Sequence, residues 1–411
     1  MNGAPTSYPA GFLWGVATAA HQIEGNNVGS DYWLLEHLQP TTFVEPSGDG
    51  CDSWSRWPED VALVKGLGCN AYRFSVEWAR IEPEPGRFSR AALDHYRRLC
   101  AALRDAGITP VMTLHHFTSP RWLAARGGWE DEATPSAFAR YAEHTVRALG
   151  DLLGAVCTIN EPNAQVNSYI IRGERPFEGE SAVVAAACRA LGSERFGSYF
   201  MGNSFRVRDI CIKAHQLAVQ AIGTAAPGLP CGMTLALQAL ECGHGGEAMY
   251  RRLFDNARAP FYEAARGDSF LGVQAYNRMR TGPSGYEAPA SGVELDRWGH
   301  DCSTDVLEAA VREAHQHCGA PVFITEHGIN TDDDAQRQRH LLGSLPGLQR
   351  CLADGIPVLG YIYWSLLDNF EWRSGYAQKF GLYAVDRHTF HRRAKPSAAM
   401  FDAAVRAARR R

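Results

Sequence analysis

No run of about eighteen apolar residues occurs in the chain, so a membrane-spanning helix is not expected. The opening "MNGAPTSYPAGFLWG" lacks the basic segment and long apolar core of a secretion signal. Neither GxGxxG nor GxxxxGK[ST] follows any apolar run, so the usual phosphate cradles of nucleotide-binding sheets are missing. No CxxC pair is present. The eleven cysteines are scattered and odd in number, which fits reduced thiols and a cytoplasmic location better than a disulfide framework. Lysines and arginines total 41 against 45 acids, a formal net charge of −4, and no basic patch marks a nucleic acid or anionic membrane as partner. There is no long linker and no charge block.

What is present is ordinary globular composition, 45% hydrophobic and 21% charged over 411 residues, enough for a large core. Eight apolar, strand-like runs recur, at 12–20, 70–76, 109–116, 155–161, 230–237, 269–276, 321–326 and 358–366. They are continuous rather than alternating, as parallel strands buried on both faces are. Between them lie segments with apolar residues at i, i+3 and i+4, such as 57–68 ("WPEDVALVKGLG") and 338–355 ("QRHLLGSLPGLQRCLADG"). The pattern predicts an α/β fold, a (β/α)₈ TIM barrel in one domain over 1–411, with enlarged loops at the C-terminal face. A doubly wound open sheet is the runner-up. The segment 162–204 exceeds a loop, and "SAVVAAACRALGSERFG" within it reads as an extra helix.

A barrel gathers the C-terminal ends of its strands around one mouth. Those ends carry Gln22, Arg73, His115 and His116, Asn160 and Glu161, Tyr276, Glu326 and Trp364, with Glu371 just beyond. Glu161 and Glu326 end the fourth and seventh runs, which lie across a barrel from each other. A facing carboxylate pair suits glycosidic bond cleavage, one giving a proton to the leaving oxygen and the other attacking the anomeric carbon. Arg73 and Tyr276 can favour an ionised Glu326, the nucleophile, and the charge of Glu326 with partial burial can keep Glu161 protonated as acid/base. A single glutamate at a strand end is ordinarily a solvated turn or helix-start residue; two of them, with Arg, His, Asn and Tyr at matching ends, reverse that weighting. The pair His115 and His116 could be half of a metal site, but no HxH or matching Asp accompanies it, and no metal or cofactor is expected. "HQHC" at 315–318 has ligand-like spacing, yet i and i+2 point apart on a helix, so a solvated helix end is expected.

These motifs resemble glycoside hydrolase family 1, the β-glucosidase family, from near the start to about Ser397. "FLWGVATAAHQIEG", "NAYRFSVEWARIEP", "CTINEPN", "FITEHG" and "GYIYWSLLDNFEWRSGYAQKFGLYAVD" carry the likeness. The resemblance implies a retaining mechanism through a glycosyl-enzyme. It implies that Gln22, His116, Asn160, Glu371 and Trp372 hold the sugar hydroxyls, that Trp364 is a stacking platform, and that Phe117 and Phe380 touch substrate. Glu371 would repel a 6-phosphosugar. The chain departs from the family at Phe117, which replaces a tryptophan, at Gln274 and at His327, each replacing an asparagine. It is also shorter between Tyr276 and Pro321 and after Gly328, so a more open or reshaped aglycone side is expected. Phe117 offers no N–H, which predicts looser discrimination at the sugar 3-hydroxyl. The leading reading is a retaining β-glycosidase that hydrolyses β-glucosides or related small glycosides, with a transglycosidase that decorates an acceptor such as a natural product, and a non-catalytic sugar-binding relative, as alternatives.

Overall fold

Residues 8–410 are described by the structure, a computed structural model. Met1–Ser7, where part of the signal-peptide reading falls, and Arg411 lie outside them. All eight expected runs form strands: β1 (Leu13–Ala17), β2 (Ala71–Ser75), β3 (Thr109–His115), β4 (Ala155–Asn160), β5 (Cys231–Ala236), β6 (Leu271–Ala275), β7 (Val322–His327) and β8 (Val358–Trp364). They close into a parallel barrel in sequence order, with β1 paired to both β2 and β8. Each strand is almost wholly buried, which is why the runs are apolar throughout. Ala71, Val111, Ala155, Cys157, Phe323 and Ile362 form the core inside the barrel, and a larger apolar layer lies between strands and helices.

The outer ring consists of α1 (Ser53–Gly66), α2 (Arg90–Asp105), α3 (Thr134–Leu149), α4 (Ser204–Ala225), α5 (Ala259–Ala265), α6 (Val306–Cys318), α7 (Asp334–Ala353) and α8 (Pro396–Arg409). Side chains cap three of their starts: Ser89 accepts from Ala92 N, Asn203 from Phe205 N and Asp333 from Ala335 N. The extra helix appears as Glu180–Leu191. Among the described residues no helix is long and apolar enough to cross a membrane.

Three local expectations are corrected. Helix α1 starts at Ser53 rather than at the Trp57-Pro58 pair, because Trp54 stacks on His95 of α2 at 3.7 Å and draws the preceding turn into the helix. Helix α7 likewise runs from Asp334 and carries Pro346 inside it. The 315–318 end of α6 is not a solvated tip: His317 packs on Phe254 at 4.8 Å and on Tyr262 of α5 at 5.8 Å, and Cys318 is buried.

Two irregularities matter for function. The register of β4 shifts between Cys157 and Asn160, and that of β7 between Ile324 and Glu326. Thr158 faces outward, its hydroxyl 2.8 Å from His215 Nδ1 on α4, yet Asn160, two residues on, lines the interior. Ile324 packs in the outer layer, yet Glu326 faces inward. Strict alternation would send both polar side chains into the helix layer; the bulges turn them into the barrel mouth.

Candidate active site

The C-terminal mouth of the barrel holds a cavity of about 460 Å³. Its floor is a hydrogen-bond network drawn from five strands, β2, β4, β5, β6 and β7. Arg73 of β2 donates to Glu326 Oε1 and, at 2.5 Å, to Asn160 Oδ1. Gln274 of β6 donates its amide to Glu326 Oε1 at 2.9 Å and to Asn160 Oδ1 at 2.8 Å. Thr234 of β5 donates to the same Asn160 oxygen at 3.1 Å, and the Tyr276 hydroxyl donates to Glu326 Oε2 at 2.5 Å. Gln274, a departure in the motif, therefore still serves both the asparagine and the carboxylate. Arg73 is 1% exposed and lies behind Glu326 rather than on the cavity wall.

Three donors on the Asn160 oxygen fix its amide orientation. Its Nδ2 then donates to His116 Nε2 at 3.3 Å, which places the His116 proton on Nδ1. Burial, with help from Arg73, pushes the His116 pKa well below the usual range, so the ring is neutral. Its Nδ1 has no hydrogen-bond partner among the described residues. His115 is turned away, to Ser119 Oγ at 3.1 Å.

Glu161 sits just past β4 with φ of 47°, and its N–H donates to Thr234 O at 2.9 Å. Phe117 and Trp372 on the same wall also have positive φ, at 72° and 50°. Such backbone is costly for residues with a side chain, and here it clusters where side chains converge. The Glu161 carboxyl takes no hydrogen bond from any described residue. Burial and then the charge of Glu326 raise its pKa well above the carboxylate range. Burial also raises Glu326, but the charge of Arg73 and the hydrogen bonds from Tyr276 and Arg73 oppose it. Glu326 is therefore the more acidic of the pair.

One wall is aromatic. Trp364 stacks on His116 at 5.6 Å, and His116 on Trp372 at 5.9 Å. A cis peptide joins Trp364 to Ser365. Phe117 packs on Trp372 at 5.0 Å and Phe200 at 4.9 Å, and Phe380 on Tyr276 at 5.8 Å. Glu371 lines the cavity; burial and the charge of Glu326 push its pKa up to about 8. Gln22 stands behind it, its side-chain amide donating to Phe370 O at 2.7 Å and to Glu371 Oε2 at 3.1 Å, with its Oε1 unpartnered among the described residues.

The motif residues thus converge, but of the expected site residues Arg73 and Gln22 do not reach the cavity wall, and the departure at His327 lies outside it as well. Gln22 is screened by Glu371, and His327 points into the outer layer, its Nδ1 2.7 Å from the Tyr361 hydroxyl and its ring stacked on His340 of α7 at 4.7 Å. The outer wall was not foreseen: Tyr32 comes from the short helix Asp31–His37, and Arg172, Trp298, His300 and Arg373 come from the segments that follow β4, β6 and β8. The short segment after Tyr276 does not leave the mouth bare, because Trp298 folds back against Phe380 at 5.6 Å.

Residues 4–244 and 294–409 match the profile of glycosyl hydrolase family 1. The chain is 31% identical to the thermostable beta-glucosidase B of Thermobispora bispora, over 97% of this chain and 91% of that one. It is 29% identical to beta-glucosidase A of Thermotoga maritima, over 95% and 96%. Among solved structures, the beta-glycosidase BGL167 superposes with a TM-score of 0.93 at 46% identity, covering 97% of each chain. The stretch outside the profile contains β6, with Gln274 and Tyr276, yet β6 pairs in the barrel with β5 and β7.

Proposed function

The chain belongs to glycosyl hydrolase family 1 and is a β-glycosidase, and on that premise we propose that its substrates are β-glucosides, cleaved with retention by Glu326 and Glu161. The observation that carries the assignment of roles is the contrast between the two carboxyls. Glu326 receives Arg73, Gln274 and Tyr276, while the Glu161 carboxyl receives no hydrogen bond from any described residue and is pushed up in pKa. A nucleophile needs its anion held in place; an acid needs its proton retained.

In the proposed first step a Glu326 oxygen forms a bond to the anomeric carbon as the glycosidic C–O bond breaks. Glu161 gives its proton to the departing oxygen. The covalent ester has lost the negative charge that kept Glu161 protonated, so the Glu161 pKa falls. Glu161 can then take a proton from water as that water attacks the anomeric carbon and Glu326 leaves as carboxylate. Glu371, Trp372, His116 and Asn160 would hold the sugar hydroxyls over Trp364, with Gln22 reaching them by displacing or bridging Glu371. Phe117 and Phe380 would close the apolar sides. The chain is proposed to work as one catalytic unit, and the eleven free cysteines support a reducing, cytoplasmic setting.

A panel of 4-nitrophenyl β-glycosides tests this, with the anomer of the first-formed sugar read by NMR. Glucoside turnover with the β-anomer first is expected. Glu326→Ala should lose at least about 10⁴-fold on every substrate. Glu161→Ala should keep its first step on good leaving groups and regain turnover with azide, giving β-glycosyl azide. Azide rescue of Glu326→Ala with inverted product, and none of Glu161→Ala, would exchange the roles.

A further inference from the structure

The deep half of the cavity is lined by acids, Glu161, Glu326 and Glu371, and its mouth carries unpaired cations. Arg172 ends the short helix Ala164–Ile171 that follows Glu161, and Arg373 follows Trp372. Among the described residues, the side chain of Arg172 makes one hydrogen bond, from Nε to Arg175 O at 3.3 Å. Arg373 rests on the ring of Phe177, 4.3 Å from its centroid. Neither guanidinium forms an ion pair with a described residue, whereas Arg278 alone meets Glu241, Asp301 and Asp305. The two lie close enough that Arg373, after burial, lowers the Arg172 pKa. The acid whose charge acts on Arg172 is Glu180, whose oxygens already accept from Gly202 N at 2.9 Å and Phe177 N at 3.3 Å. Asp296, also at the mouth, is occupied by the N–H groups of Trp298 and His300, both at 2.8 Å. Both arginines are exposed at the mouth, and two neighbouring like charges left without an acid, in a chain of net charge −4, make a local positive field that favours an anion over a neutral group.

The same mouth has an aromatic face. Trp298 is 43% exposed, packs on Phe380, and Phe380 packs on Tyr276 beside the nucleophile. These rings form a file from the reaction centre outward, the direction a leaving group must take. We propose that the aglycone of this enzyme is an aromatic group bearing an anion, a carboxylate or sulfate, with its ring on Trp298 and Phe380 and its anion on Arg172 and Arg373. The anion belongs on the aglycone and not on the sugar, because the sugar half already presents three carboxyls to any group entering it. This inference rests on the β-glycosidase reading above and names the leaving half of its substrate.

The test compares two aryl β-glucosides that differ only in a meta-carboxylate or a meta-carboxamide on the phenyl ring. Wild type should prefer the carboxylate about fivefold or more in kcat/KM, the scale of a favourable exposed charge pair. In wild type that preference should shrink as ionic strength rises. In the double variant Arg172→Gln, Arg373→Gln the ratio should fall toward one. A ratio near one in wild type, or one insensitive to salt and to the double substitution, overturns the proposal. An Arg-dependent preference for an aryl glucoside 6-phosphate over the plain glucoside moves the anion to the sugar and also overturns it. If 4-nitrophenyl β-glucoside is not turned over at all, the underlying functional reading fails instead.

Discussion

At the scale of single residues, two chemically identical glutamates are separated by what surrounds them. Glu326 is bound by a cation, an amide and a phenol; Glu161 is enclosed without a donor and faces the charge of Glu326. The proposed reaction needs Glu326 ionised and Glu161 protonated, so kcat/KM should be bell-shaped in pH. The sign of one perturbation follows. The Tyr276 hydrogen bond favours the Glu326 anion, so removing it must raise the Glu326 pKa. Tyr276→Phe should therefore shift the acid limb of the kcat/KM profile to higher pH and narrow the bell, besides lowering its maximum. An unmoved acid limb, with only the maximum reduced, would show that Tyr276 orients the carboxylate without tuning it.

At the scale of elements, the strand ends are crowded as well as chemically loaded. A Cβ at Gly328, just after β7, would meet Trp364 O at 2.0 Å, the backbone at the end of β8. No side chain can be accommodated there unless the two strand ends part. Gly328→Ala should therefore cost about 1–3 kcal/mol in urea denaturation, the usual scale of overpacking. It should also depress kcat/KM, since Trp364 is the proposed sugar platform and Glu326 lies two residues before the glycine. Stability within about 0.5 kcal/mol of wild type would mean the strand ends are looser than their contacts indicate. The bulges in β4 and β7 belong to this scale too, because they turn Asn160 and Glu326 inward against the alternation of their strands.

At the scale of the whole molecule, the site is paid for in buried acids. Glu371 has a pKa near 8 in the folded protein against an ordinary 4.5, raised by burial and by Glu326. The folded state thus holds that proton more tightly than the unfolded chain. The associated stabilisation is complete below the ordinary value and is lost as pH rises through about 8. Burial pushes Glu24 and Asp31 up to about 7, and their contributions slope the same way. Glu371→Gln removes one such group while keeping an acceptor for Gln22. Denaturation midpoints should show the variant gaining on wild type between about pH 5 and about pH 9, with activity sharply reduced. A constant difference across that range would mean Glu371 does not carry a raised pKa.

The amino-acid sequence by itself determined the barrel and the carboxylate pair. Continuous apolar runs demand burial on both faces, eight of them separated by helical periodicity admit few architectures, and the motif strings around Glu161 and Glu326 are local in the chain. Side-chain direction was not legible, because alternation alone would turn Asn160 and Glu326 outward and only the register shifts in the closed sheet reverse them. Nor could sequence show that Gln274 reaches both Asn160 and Glu326, or that His327 leaves the cavity for Tyr361 and His340. The mouth was hidden most completely. Arg172, Trp298 and Arg373 lie in connecting segments far apart in the chain, with no periodicity to mark them, and they share one wall only because barrel closure brings the β4, β6 and β8 ends together.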